Sequence, residues 1–412
     1  MTKTVLIVGA GVGGIATAAR LAKAGYKVTV LEKTDRPGGR ASTIERDGFF
    51  FDTGPSLFLM PPTFAATYAA LGERMEDHLD LVRIDPTYRV HFNDGSMLDL
   101  SSNMYLMHEQ LEAIEPAASE QLLRFIADGA MRYRKSLEQF VGRNFYSFFD
   151  FFTPANLPLL FQLKPLVMHY TESSRHFKDR RLRAGFTFQN MYLGLSPFEA
   201  PATYTLLQYT EMIEGVWYPR GGMYSIITSL TKIAEGFGAT FHYNAPVKRV
   251  DTAEGRAVGV TLENGEQLRA DVVIVNADLP YAYTELLPGD PAAPRMDKLK
   301  YTSSTLMFYW GVKGERTDKL LHHNVFLSDH VYEKSFAEIF HDHLLPTEPS
   351  FYIHAPVRTV PEFAPPDADA LMVLVPTGHL DSQRDQDFPA LQARAREWVF
   401  QRLSRIGLTD LK

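Results

Sequence analysis

Apolar and polar positions change their period several times along the chain, and each change marks a different kind of element. Residues 5–8 (Val-Leu-Ile-Val) form an unbroken apolar run, the pattern of a strand covered on both faces in a parallel sheet. Val12, Ile15, Ala16 and Ala19 then recur at helical spacing, Gly25 stands where that helix should end, and residues 28–31 read as a second strand. Residues 88–92 and 97–100 flank Asn93-Asp94-Gly95, a strong hairpin signal that leaves the strand–helix–strand pattern. From 105 to 209 the pattern is largely helical. A helix from about Tyr224 places Ile226, Ile227, Leu230 and Ile233 on one face. Strand-like pieces follow at 240–243, 246–250 and 258–262, with Asn264-Gly265 closing a hairpin, and 271–278 reads as a strand and its turn. Residues 301–312, 350–357 and 370–375 are further strand candidates. A final amphipathic helix over 387–406, through Leu391, Ala395, Trp398, Val399 and Ile406, ends at Gly407.

The junction of the first strand and helix carries the chemistry. It reads Gly9-Ala10-Gly11-Val12-Gly13-Gly14, a G-x-G-x-x-G pattern placed where a helix opens. Gly9 permits the tight turn, Gly11 lets backbone approach a pyrophosphate, and Gly14 lets the helix pack close to the strand. The helix start offers free N–H groups and a positive dipole end to that pyrophosphate. Glu32, at the tip of the second strand, is placed to accept from a ribose 2′-hydroxyl, and an acid there disfavours a 2′-phosphate. These features together predict a dinucleotide site. Beyond it, Asp35-Arg36-Pro37-Gly38-Gly39-Arg40 adds a glycine turn with a cation. Arg40 there can grip phosphate or steady the far end of the ligand, and on spacing alone a solvated arginine is an equal reading. Gly54-Pro55 sets a stiff bend that could bring backbone against a flat ring, or is simply a turn.

Composition narrows the partners. A chain of 412 residues should hold two or more domains. Net charge is −7 with the signs well mixed, so nucleic acid is not an expected partner. With no cysteine there is no disulfide, no thiol nucleophile and no sulfur-linked cofactor. A strand starting at Thr4 leaves no room for a leader peptide, and a cytoplasmic protein is expected. No run of eighteen apolar residues occurs, so no spanning helix is expected. The stretch from Phe145 to Phe152 and on through Phe161 is aromatic and broken by Pro154 and Pro158. Two readings stand for it. It is either the buried core of a helical domain or a surface that dips into a bilayer interface, with Lys135, Arg143 and Lys164 near anionic headgroups. Asp150, alone among these aromatics, is a candidate proton acceptor with a raised pKa, or else a turn or helix cap. Arg143 and Glu214 have weaker claims. His322-His323 and His341-Asp342-His343 form a poor chelate, and no metal is expected.

The motifs taken together resemble the phytoene desaturases of bacterial and fungal type, within the flavin amine oxidase superfamily. The likeness rests on Gly9-x-Gly11-x-Gly13-Gly14, Gly38-Gly39-Arg40, Phe51-Asp52-Thr53-Gly54-Pro55, Trp217-Tyr218-Pro219-Arg220-Gly221-Gly222, residues 272–278, His354-Ala355-Pro356 and Val375-Pro376-x-Gly378-His379-Leu380. It implies an α/β plus α+β fold: a Rossmann-like FAD-binding domain of the amine-oxidase (GR2) type, an inserted mixed β-sheet substrate domain and a helical lid that contacts a membrane. The implied domains are an FAD-binding part at 1–80 and a hairpin at 81–104. They continue with a helical substrate and membrane region at 105–215, a second FAD-binding part at 216–298, and a sheet with its terminal helix at 299–412. The resemblance places Gly9, Gly11, Gly13, Gly14, Glu32, Gly39 and Arg40 along FAD. Gly54 and Pro55 would border the isoalloxazine, Arg220 would lie near the flavin, and Val247 would offer backbone to the adenine.

The implied reaction is FAD-dependent desaturation of a long isoprenoid hydrocarbon. Hydride passes from an allylic carbon to flavin N5, a proton leaves, and a quinone or oxygen accepts the electrons. Because substrate and quinone both live in lipid, the expectation becomes a peripherally membrane-associated enzyme, and the aromatic stretch reads as interfacial. The alternatives are another flavin oxidoreductase of the superfamily (a carotenoid isomerase, another carotene desaturase or an amine oxidase) or a non-catalytic chain that binds lipid or a partner. Family members continue into a strand and a Leu-x-x-Gly-x-Gly-Thr turn against the flavin. The residues after Ile406 do not carry it, so either a fragment or an incomplete flavin site is expected.

Overall fold

The computed structural model of the protein describes residues 2–151, 153–154, 156–314, 318–380 and 386–409. Of the aromatic run, Phe152 lies outside them. The chain divides into two compact units, Met1–Val82 with Trp217–Lys300, and Arg83–Val216 with Tyr301–Lys412.

The first unit is built on a four-stranded parallel sheet in which Val272–Val275, Thr4–Val8, Lys27–Leu31 and Thr240–His242 lie side by side. Apolar runs suit this position because both faces are covered. Ile7, Val30 and Ile15 of the helix Val12–Lys23 are completely buried, each contributing about 1.5–3 kcal/mol. That helix packs on the long helix Tyr224–Gly236, whose Ile226, Ile227, Leu230 and Ile233 form the expected buried face. An antiparallel three-stranded sheet, Val247–Ala253, Arg256–Leu262 and Gln267–Arg269, covers Leu6, Val8 and Leu31 through Val247, Val250, Val260 and Leu262.

The second unit holds a six-stranded mixed sheet. Its order is Ser304–Lys313, Ala368–Thr377, Phe351–His354, His323–Phe326, Tyr88–His91 and Met97–Leu100. The pairing of Tyr88–His91 with His323–Phe326 is parallel and the others are antiparallel. The closing helix Phe388–Ser404 is capped by Asp387, whose carboxylate accepts from the Ala390 N–H at 3.0 Å. Its Ala395, Val399 and Leu403, one turn apart, pack onto Phe326, Phe351, Ile353, Leu371 and Val373 of the sheet. The 105–209 region is broken more finely than its apolar pattern suggests. Its helices Met104–Ile114 and Ala118–Ser136 are long, and the rest are turns of four to eight residues separated by prolines and glycines.

Several described side chains of the aromatic stretch face solvent. Tyr146, Phe149, Phe161 and Leu166 are 79–90% exposed, and Val141 and Phe145 are exposed beside them. The core reading is overturned because the prolines cut the segment into pieces too short to bury a continuous face. Among the described residues no helix is long and apolar enough to cross a membrane.

Candidate functional site

The site is assembled in the first unit, where the glycine turn links the first strand to its helix. Gly9 has φ = +99°, a conformation side chains avoid, and a Cβ there would stand 2.5 Å from the Asn276 carbonyl oxygen. A Cβ on Gly14 would overlap the Gly9 carbonyl oxygen, so the helix can press against the turn only with glycine at that position. Gly11 precedes the helix with extended backbone and offers no side-chain cap. The first N–H groups of Val12–Lys23 therefore rely on something other than a capping side chain. The second glycine turn lies alongside: Gly11 pairs with Gly38, the Gly38 N–H donates to the Ala10 carbonyl at 2.8 Å, and Gly39 packs over Gly11.

Glu32 is buried and braces this arrangement from below. Its Oε2 accepts from the Ala10 N–H at 2.8 Å, and its Oε1 accepts from the N–H and hydroxyl of Thr34, both at 2.9 Å. The expectation of a carboxylate free for a ribose is corrected to this extent. Three of about four acceptor positions already hold protein donors, which leaves room for one hydroxyl. The strand Thr240–His242 and the loop after it run along the same edge, with the Ala245 N–H donating to the Glu32 carbonyl at 2.8 Å. Val247 follows, its side chain in the core.

Arg40 takes the solvated position that was one of its two readings. Its guanidinium points outward, 85% exposed, and meets Asp278 at 2.5 Å. The Arg40 carbonyl is packed against Gly54 so closely that a Cβ at 54 would overlap it. That contact gives Gly54 a reason to be glycine, and Pro55 beside it is exposed. Arg220 is likewise turned to Asp80, with Nε 3.2 Å from the carboxylate and its N–H on the Asp80 carbonyl.

Two residues that sequence reasoning did not assign hold the site together. Asn276, at the end of the strand parallel to the first, lies beneath the glycine turn with its amide against Gly9, Gly11, Gly13 and Gly14. The signal was a polar residue at the carboxyl end of a strand adjoining the turn, where α/β sheets place their ligands. Asp52 is buried and accepts from the Tyr218 hydroxyl at 2.6 Å and from the Met223 and Tyr224 N–H groups at 3.0 and 3.2 Å. It fixes the 217–223 turn and caps the helix Tyr224–Gly236, while burial outweighs these bonds and raises its pKa. Gly222 admits Phe50 where a Cβ would collide.

Asp150 takes the turn-cap reading, and the expected raised pKa is corrected. It is fully exposed, in the second unit, and accepts from the Tyr146 and Ser147 N–H groups at 2.8 Å. Those bonds lower its pKa, the reverse of the expected rise. Glu214 lies beside Tyr133, whose phenol it helps push upward after burial, and Arg143 is exposed.

A parallel sheet, a glycine turn opening a helix and an acid at the next strand define a dinucleotide-binding unit, and a cradle with no Cβ along its floor fits a pyrophosphate. The chain belongs to the flavin containing amine oxidoreductase family, whose model matches residues 12–393. It is 46% identical to the zeta-carotene-forming phytoene desaturase of Myxococcus xanthus over all of this chain and 78% of that protein. It is 44% identical to the phytoene desaturase of Phycomyces blakesleeanus over 99% of this chain and 71% of that protein. Among solved structures, an oxidoreductase from Methanosarcina mazei superposes with a TM-score of 0.64 at 18% identity, covering 98% of this chain and 84% of that one, a likeness of fold. The protein is accordingly an FAD-dependent oxidoreductase.

Proposed function

We propose that this chain desaturates phytoene toward coloured carotenes. The observation that carries the reading is an identity of 46% over the whole chain, with the glycine cradle intact at every position that close packing demands. FAD, when bound, supplies a two-electron acceptor that takes hydride from an allylic carbon as a proton leaves the neighbouring one. The N–H groups opening Val12–Lys23 hold its pyrophosphate and the last free acceptor position of Glu32 takes a ribose hydroxyl. Backbone at Val247 meets the adenine. Gly54, Pro55 and the 217–223 turn pinned by Asp52 shape the far end, with Gly39 beside Gly11 at the pyrophosphate. Arg40 and Arg220, paired with Asp278 and Asp80 at exposed positions, keep cations beside the site.

The substrate is a long isoprenoid hydrocarbon without a polar handle, so its binding rests on apolar burial. Tyr146, Phe149, Phe161 and Leu166 form a surface suited to a bilayer interface, where such a substrate and a quinone reside. A quinone or oxygen then takes the electrons. Co-expression with a phytoene-producing pathway should give coloured polyenes, and colourless extracts from a well-expressed, flavin-loaded chain would overturn the assignment. Flotation with anionic vesicles tests the surface. A Phe149→Ser/Phe161→Ser variant should stay in the soluble fraction, and unchanged flotation would remove the interfacial reading while leaving the reaction untouched.

A further inference from the structure

Three histidines meet inside the six-stranded sheet of the second unit. His323 opens one strand and His354 closes its neighbour, and the antiparallel register sets them opposite each other. His322 precedes the first, and all three are buried to within 3% exposure. One ring nitrogen of each lies within 4.8 Å of the other two. The adjacency of His322 and His323 looked like a poor chelate along the chain. The strand pairing supplies the third ligand from 32 residues away.

The ring nitrogens that face outward are already held. His322 Nδ1 lies 2.7 Å from the Thr359 hydroxyl, and His323 Nδ1 lies 2.7 Å from the Tyr352 hydroxyl. This leaves the Nε2 atoms for the interior. His322 and His354 bring theirs to 3.0 Å from each other, while His323 Nε2 is buried with no hydrogen-bond partner among the described residues. Without a further group, the cluster strands the His323 ring nitrogen, a buried polar atom left unsatisfied.

We infer that His322, His323 and His354 bind a borderline divalent cation of the zinc class, as a structural site separate from the flavin chemistry. A cation accepts all three lone pairs together and removes the stranded nitrogen. Zinc–nitrogen bonds of about 2.0–2.1 Å place two ligand nitrogens on one ion roughly 3.3 Å apart, close to the 3.0 Å between His322 and His354, with the His323 nitrogen within 4.8 Å of both. The hydroxyls of Thr359 and Tyr352 occupy the outer-shell position that fixes the tautomer and orientation of metal-binding imidazoles. The ligand set is all imidazole, which favours zinc, copper or nickel over magnesium or calcium. Burial also holds the three rings in the neutral form that metal binding needs, with His354 lowered to about 3. The bound ion ties together the two central strands.

The test uses the chain without a histidine tag, loaded with Zn²⁺, desalted and assayed for metal by mass spectrometry. About one zinc per chain is expected, and Co²⁺ in its place should give the visible bands of a low-coordinate site. His323→Gln should lose both signals while keeping its circular dichroism. Thr359→Val, which removes no ligand, should weaken zinc about 10- to 100-fold against a competing chelator. A wild type holding no more zinc than folded His323→Gln would overturn the site and leave a neutral hydrogen-bonded histidine cluster. If His323→Gln does not fold, Thr359→Val decides, and an unchanged zinc affinity there would equally overturn it.

Discussion

The first unit keeps its buried acids with neutral partners, whereas the helical part of the second keeps one among cations. Asp52 is satisfied by a phenol and two backbone N–H groups, and Glu32 by two backbone N–H groups and a hydroxyl. Glu172, 1% exposed, has Arg132 and Lys164 at 2.5 Å and Arg175 at 2.8 Å. Arg132 is itself completely buried and also donates to the Ala202 carbonyl and the Thr205 hydroxyl. Burial alone would raise the Glu172 pKa, yet hydrogen bonds from Lys164 and Arg132 bring it down to about 2. The contrast follows from what each region meets. A cradle that must receive a polyanion through backbone N–H groups works best with few fixed charges of its own. A region of short helices and prolines instead joins its pieces through a buried charge network whose members satisfy one another.

The largest effect is expected where that network is broken. Arg132→Met leaves Glu172 buried without its one fully buried partner and should cost about 3–5 kcal/mol, read from the denaturant midpoint. A loss under 1 kcal/mol would mean that Lys164 and Arg175 suffice, and that the contrast between the units is only apparent.

Glu211 sharpens the comparison, since it is a buried acid of the second unit with no cation. Burial raises it to about 8 against hydrogen bonds from Gln189 and the Tyr88 hydroxyl, both at 3.1 Å. Its folded pKa lies above the unfolded value near 4.5, so the folded state binds the extra proton. Its contribution is complete below about pH 4.5 and disappears as pH rises to about 8. Glu172 runs the other way. Its contribution is present above about 4.5 and is lost as pH falls toward 2. Glu211→Gln should therefore flatten the decline in stability between pH 5 and 8 by an amount on the order of 3 kcal/mol, and leave the acid limb intact. An unchanged alkaline slope would place the titration elsewhere.

Gly14→Ala probes the other side. The added Cβ meets the Gly9 carbonyl oxygen, backbone that cannot step aside, and about 1–3 kcal/mol of strain is expected, with loss of co-purifying flavin absorbance. Retention of full flavin would show that the turn can shift.

These substitutions also separate what could be read along the chain from what could not. Gly9, Gly11, Gly14 and Glu32 were legible because the turn, its helix and the next strand are neighbours in sequence, so each residue's task follows from local geometry. Gly54 was visible as a turn, but its real constraint, the Arg40 carbonyl, is a tertiary contact. Arg132 meets Glu172 across 40 residues and Tyr88 meets Glu211 across 123, and no periodicity announces either pair. Arg132 reads as an ordinary surface arginine in a polar helix until the fold closes over it. His354 was quoted only as part of a motif, since nothing in its neighbourhood says which strand lies alongside.

The smallest effect belongs to Asp150. A proton acceptor needs a pKa near its working range and a place beside the substrate. Asp150 lacks the first, being exposed and stabilised as a carboxylate by the Tyr146 and Ser147 N–H groups of its own turn. Asp150→Asn should leave the rate of coloured-carotene formation within about two-fold of wild type across pH 6 to 8, because a group charged throughout that range has no inflection to lose. Asp150→Ala removes the acceptor for both N–H groups, and its effect should be confined to vesicle flotation, through the order of the adjoining Phe149. A ten-fold fall in rate for Asp150→Asn with flotation intact would return this carboxylate to the chemistry, and the second unit would then hold a reactive group as well as a structural one.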